Sequence, residues 1–293
     1  MSGIFLKFIS PSQAFHRPNE LIRWTKIEGD QRGVPREKMQ TENTSPPKIW
    51  FASFADGSER YRCRLRQFKE EIDRKNLAHG WFDETIFCDD SCIDENFLDA
   101  NHHIFAQHRG HGFWIWKPYI VNKILHQMRA DDILVYADVG CEINFETGEK
   151  RFKEYLELVT NSPTGMIGMK LGSENNEFKY TKGSLRNYIG LDDVHWQAAQ
   201  LVGGIQILRK CAHSIQFAND WLRLATFGNG KFIDDSTSDV PNHPEFKDNR
   251  HDQSIQSVLK KKMGFLEIPD ETYPPEEQRK NGSPILASRV REC

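Results

Sequence analysis

From about residue 48 onward, the apolar positions of this chain switch between a strand period and a helix period. Ile49–Ala55 (IWFASFA) is an apolar run closed by Asp56-Gly57, which predicts a strand and a turn. Tyr61, Leu65, Phe68 and Ile72 follow at spacings of four, three and four, so they share one face of a helix whose other face is rich in Arg, Lys and Glu. Thr85–Cys88 predicts a second strand and Asp94–Phe105 another helix. Pro118 opens a further helix, where its missing N–H costs nothing. Ile120, Val121, Ile124, Leu125 and Met128 form that helix's buried stripe, and Asp131-Asp132 ends it. Ile133–Ala137 (ILVYA) is apolar without alternation, as befits a strand covered on both faces. Gly204–Leu208 predicts a strand, Cys211–Phe227 a helix, and Asp252 the start of a helix carrying Ile255, Val258, Leu259 and Met263. Phe265–Ile268 and Pro284–Ala287 complete the pattern as late strands. Alternating strands and helices imply an α/β fold, a mostly parallel central sheet with helices on both faces, in a single domain.

Residues 1–47 show no sustained period and end in a polar stretch, which predicts a disordered arm ahead of a domain spanning 48–293. The apolar patch Gly3–Ile9 in that arm suits docking on the domain or peripheral contact with a membrane surface.

Composition narrows the function. There are 39 Lys+Arg against 42 Asp+Glu, a net charge of −3, which argues against a general nucleic-acid binder. No run approaches the ~18 apolar residues of a membrane span, and the first ten residues lack the shape of a secretion signal. The six cysteines, at 63, 88, 92, 141, 211 and 293, read as reduced thiols rather than a zinc set. These features point to a water-soluble cytoplasmic protein.

Three segments carry candidate chemistry. Ligands in open α/β sheets bind beyond the carboxyl ends of the strands, and Asp56 and Asp138 both fall at such ends. Asp138 and Glu142, four apart across Gly140, present two carboxylates, the ligand type favoured by Mg²⁺ or Mn²⁺. A surface turn capped by Asp138 is the alternative. In Arg109–Pro118 (RGHGFWIWKP), Trp114 and Trp116 lie two apart, so an extended segment would turn both rings to one side, toward a sugar or base or into the core. Lys117 suits a phosphate as a point charge. In Arg250–Ser254 (RHDQS), His251 is a candidate metal ligand and Asp252 a candidate base, with a helix N-cap as the plain reading. There is no GxxxxGK[ST] loop, GxSxG elbow or HExxH.

Taken in order, several segments resemble a group of GT-A-type nucleotide-sugar glycosyltransferases of polysaccharide and glycan biosynthesis. They are Phe54-Ala55-Asp56-Gly57 with Arg64-Leu65, Gly112–Pro118 with its WKP, Asp132–Ile143 with Asp138-Val-Gly-Cys, Gly203–Arg209, His251–Ser254 and Pro284–Arg291. The likeness covers about residues 48–291. It implies a GT-A-like, Rossmann-like domain that transfers a hexosyl or pentosyl group from a UDP- or GDP-sugar to a glycan acceptor. By the same resemblance, Phe54, Ala55, Asp56, Arg64, Trp116, Lys117, Gly203 and Gly204 bind the donor, Asp252 and Asp138 are catalytic, and Asp138, Glu142 and His251 hold a divalent cation, manganese or magnesium. Arg289 or Arg291 would close on the diphosphate. Gly140 replaces the second carboxylate of the Asp-x-Asp metal motif. Two rival readings stay open, a non-catalytic glycan-binding relative and a metal-dependent nucleotidyltransferase.

Overall fold

Three β-strands from the first half of the chain and three from the second build one six-stranded sheet, with strand order β2-β1-β3-β6-β5-β7. In this computed structural model, residues 45–274 and 282–290 are described. Nearly all of the predicted arm, and Arg291, therefore lie outside the described residues. The strands are β1 (Ile49–Phe54), β2 (Glu84–Cys88), β3 (Ile133–Ala137), β5 (Met166–Lys170), β6 (Ile205–Arg209) and β7 (Leu266–Pro269). β1 runs parallel to β2 and β3, and β5 runs parallel to β7, whereas β6 is antiparallel to both of its neighbours. A separate two-stranded piece pairs β4 (Glu142–Ile143) with β8 (Ile285–Leu286).

Every residue of β3 is buried, and the period of two sorts its side chains between two cores. Leu134 and Tyr136 join Ala52, Phe54 and Leu208 under the helices Trp116–Gln127, Ala212–Gly230 and Asp252–Met263. Ile133, Val135 and Ala137 join Phe51 and Ile207 under Glu59–His79 and Glu149–Asn161. The unbroken apolar run of β3 is thus the signature of a strand with helices on both sides. Helix Glu59–His79 begins at Ser58, whose hydroxyl accepts from the Tyr61 N–H, and stops at Gly80 in the left-handed conformation. Leu65, Phe68 and Ile72 are buried on it, while Tyr61 is exposed beyond the core's edge.

Several elements differ from the sequence reading. The helix expected over Asp94–Phe105 is broken at Asn101 into Glu95–Ala100 and His102–Phe105. The Asn101 side chain donates to the Phe97 carbonyl, capping the first piece. Helix Glu149–Asn161, strand β5 and the short helices between Glu177 and Gln197 had no counterpart in the reading. The segment Pro284–Ala287 pairs only through β8. Cys63 is disulfide-bonded, unlike the free thiols of Cys88, Cys92, Cys141 and Cys211, which departs from the reduced set expected of a cytoplasmic chain. No helix among the described residues is long and apolar enough to cross a membrane.

Asp132, just before β3, ties the sheet's first strand to the preceding helix. Its fully buried carboxylate accepts from the Lys48 N–H (2.8 Å), Trp50 Nε1 (3.1 Å) and the Arg129 N–H (3.1 Å), and pairs with the Arg129 guanidinium at 3.0 Å. Burial works to raise its pKa, but these donors outweigh it and hold the carboxyl below its ordinary value. A depressed carboxyl pKa adds stability above the unfolded value of about 3.9, and that stability is lost as pH falls through the folded value. Asp132→Ala strands several buried donors and is expected to cost about 3–5 kcal/mol. Urea midpoints should show this loss at pH 7, and a smaller gap between variant and wild type near pH 3. Equal midpoints at pH 7 would refute the role.

Candidate functional site

The carboxyl ends of β1, β2 and β3 share one edge of the sheet with the start of the antiparallel β6. That reversal is the kind of place where open α/β sheets form a crevice. Asp138 stands there directly after β3. Its N–H donates to the Gly204 carbonyl at 2.8 Å, and its Oδ1 accepts from the Tyr136 hydroxyl at 3.0 Å. Lys117, the second residue of helix Trp116–Gln127, places Nζ 3.1 Å from Asp138 Oδ1 and 2.9 Å from Asp252 Oδ2. Asp252 opens helix Asp252–Met263. A strand end and two helix starts therefore bring two carboxylates onto one ammonium.

Burial makes this trio unusual. Lys117 is 2% exposed and Asp252 4%, whereas the Asp138 side chain keeps 36% of its surface open. Desolvation works to lower the Lys117 pKa, but the charges of Asp138 and Asp252 outweigh it and hold the ammonium above its ordinary value. Burial pushes Asp252 above the usual carboxylate range, against the pull of Lys117. Its Oδ2 is an ion-pair partner by distance yet receives no well-directed hydrogen bond. Asp138 is thus the open member, and Asp252 lies behind the ammonium.

The local backbone explains how Lys117 reaches this point. Gly110, His111, Gly112, Phe113 and Trp114 all have positive φ (59°, 50°, 82°, 55° and 61°), one left-handed turn. Such a turn costs roughly 1–2 kcal/mol for each residue other than glycine. It is held by His111 Nε2 on Asp90 (2.8 Å), by Trp116 Nε1 donating to the Gly110 carbonyl (3.1 Å), and by the His251 ring stacked on Phe113 and Trp114 at 5.0 and 5.3 Å. The hydrogen bond to Asp90 also raises the pKa of His111. The segment is therefore not extended, and its two tryptophans do not present paired rings. Trp116 turns inward and stacks on Phe54 at 4.2 Å.

The remaining sequence candidates fall into distinct settings. Phe54, Ala55 and Trp116 are core side chains at the crevice floor. Asp56 accepts from Gly57 N–H, Asp90 N–H and Arg62. Arg64 is buried, directed at Glu71 (3.2 Å) and the Cys141 carbonyl (3.4 Å). Gly203 packs against Gln253, and Gly204 against Asp138. Arg289 is exposed beside Tyr273.

The three metal candidates are not brought together. Glu142 is exposed on β4 and lines a groove with Phe68 and Lys75. His251 is buried, with Nδ1 2.6 Å from the Ile233 carbonyl. Among the described residues no three His, Cys, Asp or Glu are gathered as a ligand set. The cation between Asp138 and Asp252 is the Lys117 ammonium, so the residues present do not fit a divalent ion in this arrangement. Two surface grooves, the one beside Glu142 and another between Arg151 and Leu266, do not touch the trio.

Some contributors escaped the sequence reading. Tyr136 looked like one more apolar strand residue. Lys260 was not singled out in the sequence, yet it is buried, donating to the Ile167 carbonyl and to Gln206 Oε1, both at 2.8 Å. Burial pushes its pKa down to about 7. Gln206 in turn donates to the Gly203 carbonyl at 3.3 Å, bracing the glycine turn. A glutamine inside the apolar run GIQIL was the available signal.

No protein-family model matches this sequence, and no curated protein matches it. Among the solved structures that resemble the chain are two glycosyltransferase structures. One is a glycosyltransferase involved in the glycosylation of the major capsid of PBCV-1, with TM-score 0.45 and 10% identity over 82% of this chain and 93% of that one. The other is mouse xyloside xylosyltransferase 1 in its apo form, with TM-score 0.45 and 9% identity over 84% and 99%.

Proposed function

We propose that the chain is a GT-A-like glycosyltransferase that moves a hexosyl or pentosyl group from a UDP- or GDP-sugar to an acceptor hydroxyl on a glycan or glycoconjugate, in polysaccharide or glycan biosynthesis. The observation that carries this reading is the half-open Asp138 at the end of β3, against the Gly204 backbone and locked by the buried Lys117–Asp252 pair. The sequence order of the WKP, Asp138-Val-Gly-Cys and His251-Asp-Gln-Ser segments supports it.

In this reaction the bond between the sugar's anomeric carbon and the diphosphate oxygen breaks, and its electron pair leaves on the diphosphate. The acceptor oxygen forms the new bond to that carbon. The acceptor's proton passes to a base, and Asp138 is the carboxylate with open surface to take it. Asp252 has no such access; it fixes the Lys117 ammonium, which in turn orients Asp138. The Gly203-Gly204 turn lets donor or acceptor approach the backbone at the same edge.

Asp138→Asn keeps the shape and removes the base. Transfer is expected to fall by about 10²–10⁴-fold, with the melting midpoint nearly unchanged. Product formation from a panel of UDP- and GDP-sugars with a mixed glycan acceptor reads the first effect. Full activity in the variant would remove Asp138 from the chemistry. Loss of folding would make its role structural.

A further inference from the structure

A transferase of this kind must balance the charge of a departing diphosphate. This inference rests on the transferase reading above. The cation place between Asp138 and Asp252 is filled by Lys117, whose charge is spent on two carboxylates. That leaves no positive charge over for the diphosphate from the trio itself, so it has to come from elsewhere.

Two arginines near the crevice stand apart from the chain's other charged pairs. Arg250, two residues before Asp252, stacks its guanidinium 3.5 Å over the Tyr180 ring. Its hydrogen bonds go to neutral oxygens, Asn175 Oδ1 at 2.9 Å and Gln200 Oε1 at 3.5 Å. Gln200 Oε1 also accepts from Gln253, and Gln253 packs on Gly203, so Arg250 belongs to the wall of the glycine turn. Arg289 lies on the opposite lip. A Cβ on Gly140 would stand 3.4 Å from the Arg289 backbone, and the Val290 N–H donates to the Gly140 carbonyl at 3.0 Å. Its guanidinium rests near Tyr273 and, among the described residues, donates to that hydroxyl.

Neither arginine has a carboxylate within ion-pair distance among the described residues, in contrast to Arg62, Arg109, Arg129, Arg151 and Arg209. Burial is the main influence lowering the Arg250 pKa, and the charges of Tyr180, Asp248 and Glu177 oppose it from beyond ion-pair distance. Arg250 at the Gly203 wall and Arg289 beside Gly140, each without an ion-pair carboxylate among the described residues, offer guanidinium groups to a polyanion.

We propose that this enzyme handles its nucleoside diphosphate without a divalent cation. Lys117 is the fixed internal cation that locks Asp138 and Asp252, and Arg250 and Arg289 clamp the diphosphate. Gly140 fits this division. Where a second metal-binding carboxylate would stand, the chain has a residue with no side chain, and the backbone of Arg289 packs there instead.

The test is titration calorimetry of the full chain with UDP and with GDP, in EDTA and again in MnCl₂, alongside a melting scan with MnCl₂ alone. One of the two nucleotides should bind with the same affinity, within about twofold, in both buffers, and Mn²⁺ alone should leave the midpoint unmoved. Arg289→Gln, an exposed substitution, should weaken that binding about tenfold or more without shifting the melting midpoint, and Arg250→Gln should weaken it as much while lowering the midpoint through loss of the Tyr180 stack and the Asn175 hydrogen bond. Binding that appears only with Mn²⁺ would overturn the proposal while leaving the transferase reading intact. Undiminished binding in Arg289→Gln and Arg250→Gln would overturn the clamp. Failure of both nucleotides in both buffers would bring down this proposal and the transferase reading together.

Discussion

Replacing Lys117 by methionine is expected to abolish transfer and to destabilise the fold by about 3–5 kcal/mol, the usual penalty for removing one partner of a buried ion pair. Methionine fills the space of the lysine stem, so the loss is one of charge rather than packing. Asp252, 4% exposed, would face the second carboxylate of Asp138 with no cation between them. Like charges at close range in a poorly solvated site force one of them to take up a proton. In the variant the folded-state pKa of Asp252 therefore rises further above its unfolded value. The folded state then binds more protons than the unfolded state across that window, so stability falls as pH rises through it. Urea midpoints should be higher at pH 5 than at pH 8 for Lys117→Met, and the difference should vanish when Asp252→Asn is added. The double variant should regain stability but not activity. A single variant as stable as wild type at pH 8 would show that the trio is not an electrostatic unit.

The sheet was legible where burial on both faces erased the strand's alternation. ILVYA announced β3, and the turn Asp56-Gly57 announced the end of β1. The position of Asp138 followed directly from that. What could not be read was which side chains meet it. Lys117 and Asp252 are separated by 135 positions in the chain, the difference of their residue numbers, and no local period ties them together. The turn Gly110–Trp114 was misjudged because an alternating aromatic pair has the same signature in an extended strand as in a left-handed turn. Only the two glycines marked a backbone that leaves the common regions. His251 was open to two readings for a related reason. A histidine next to an acidic residue suggests a ligand, while here its ring is a packing plate for Phe113 and Trp114. Helix Glu149–Asn161 and β5 were passed over although Phe152, Tyr155 and Val159 recur at helical spacing.

Gly204→Ala carries the second large effect, on rate rather than on stability. A Cβ at this position would stand 2.7 Å from Asp138 Oδ2 and 3.3 Å from its Cγ. Distance alone does not decide the outcome, because a Cβ on Gly172 would meet the Glu174 carboxylate even closer, at 2.5 Å. Glu174 is exposed, and swinging away costs it one solvent-facing hydrogen bond from Asn175, so Gly172→Ala should be nearly silent. Asp138 cannot swing without loss. Its Oδ1 is held by the Tyr136 hydroxyl at 3.0 Å and by Lys117 at 3.1 Å, and Lys117 is anchored in turn by Asp252. The carboxylate must either rotate out of both contacts or push the Gly204 backbone away from the Asp138 N–H. Overpacking of this kind costs roughly 1–3 kcal/mol. A base moved by about 1 Å loses about 10²-fold in rate. The expected result for Gly204→Ala is therefore a kcat/KM near one hundredth of wild type in a protein that still melts cooperatively. Wild-type turnover in Gly204→Ala would mean that the Asp138 carboxylate is not the group whose position sets the rate.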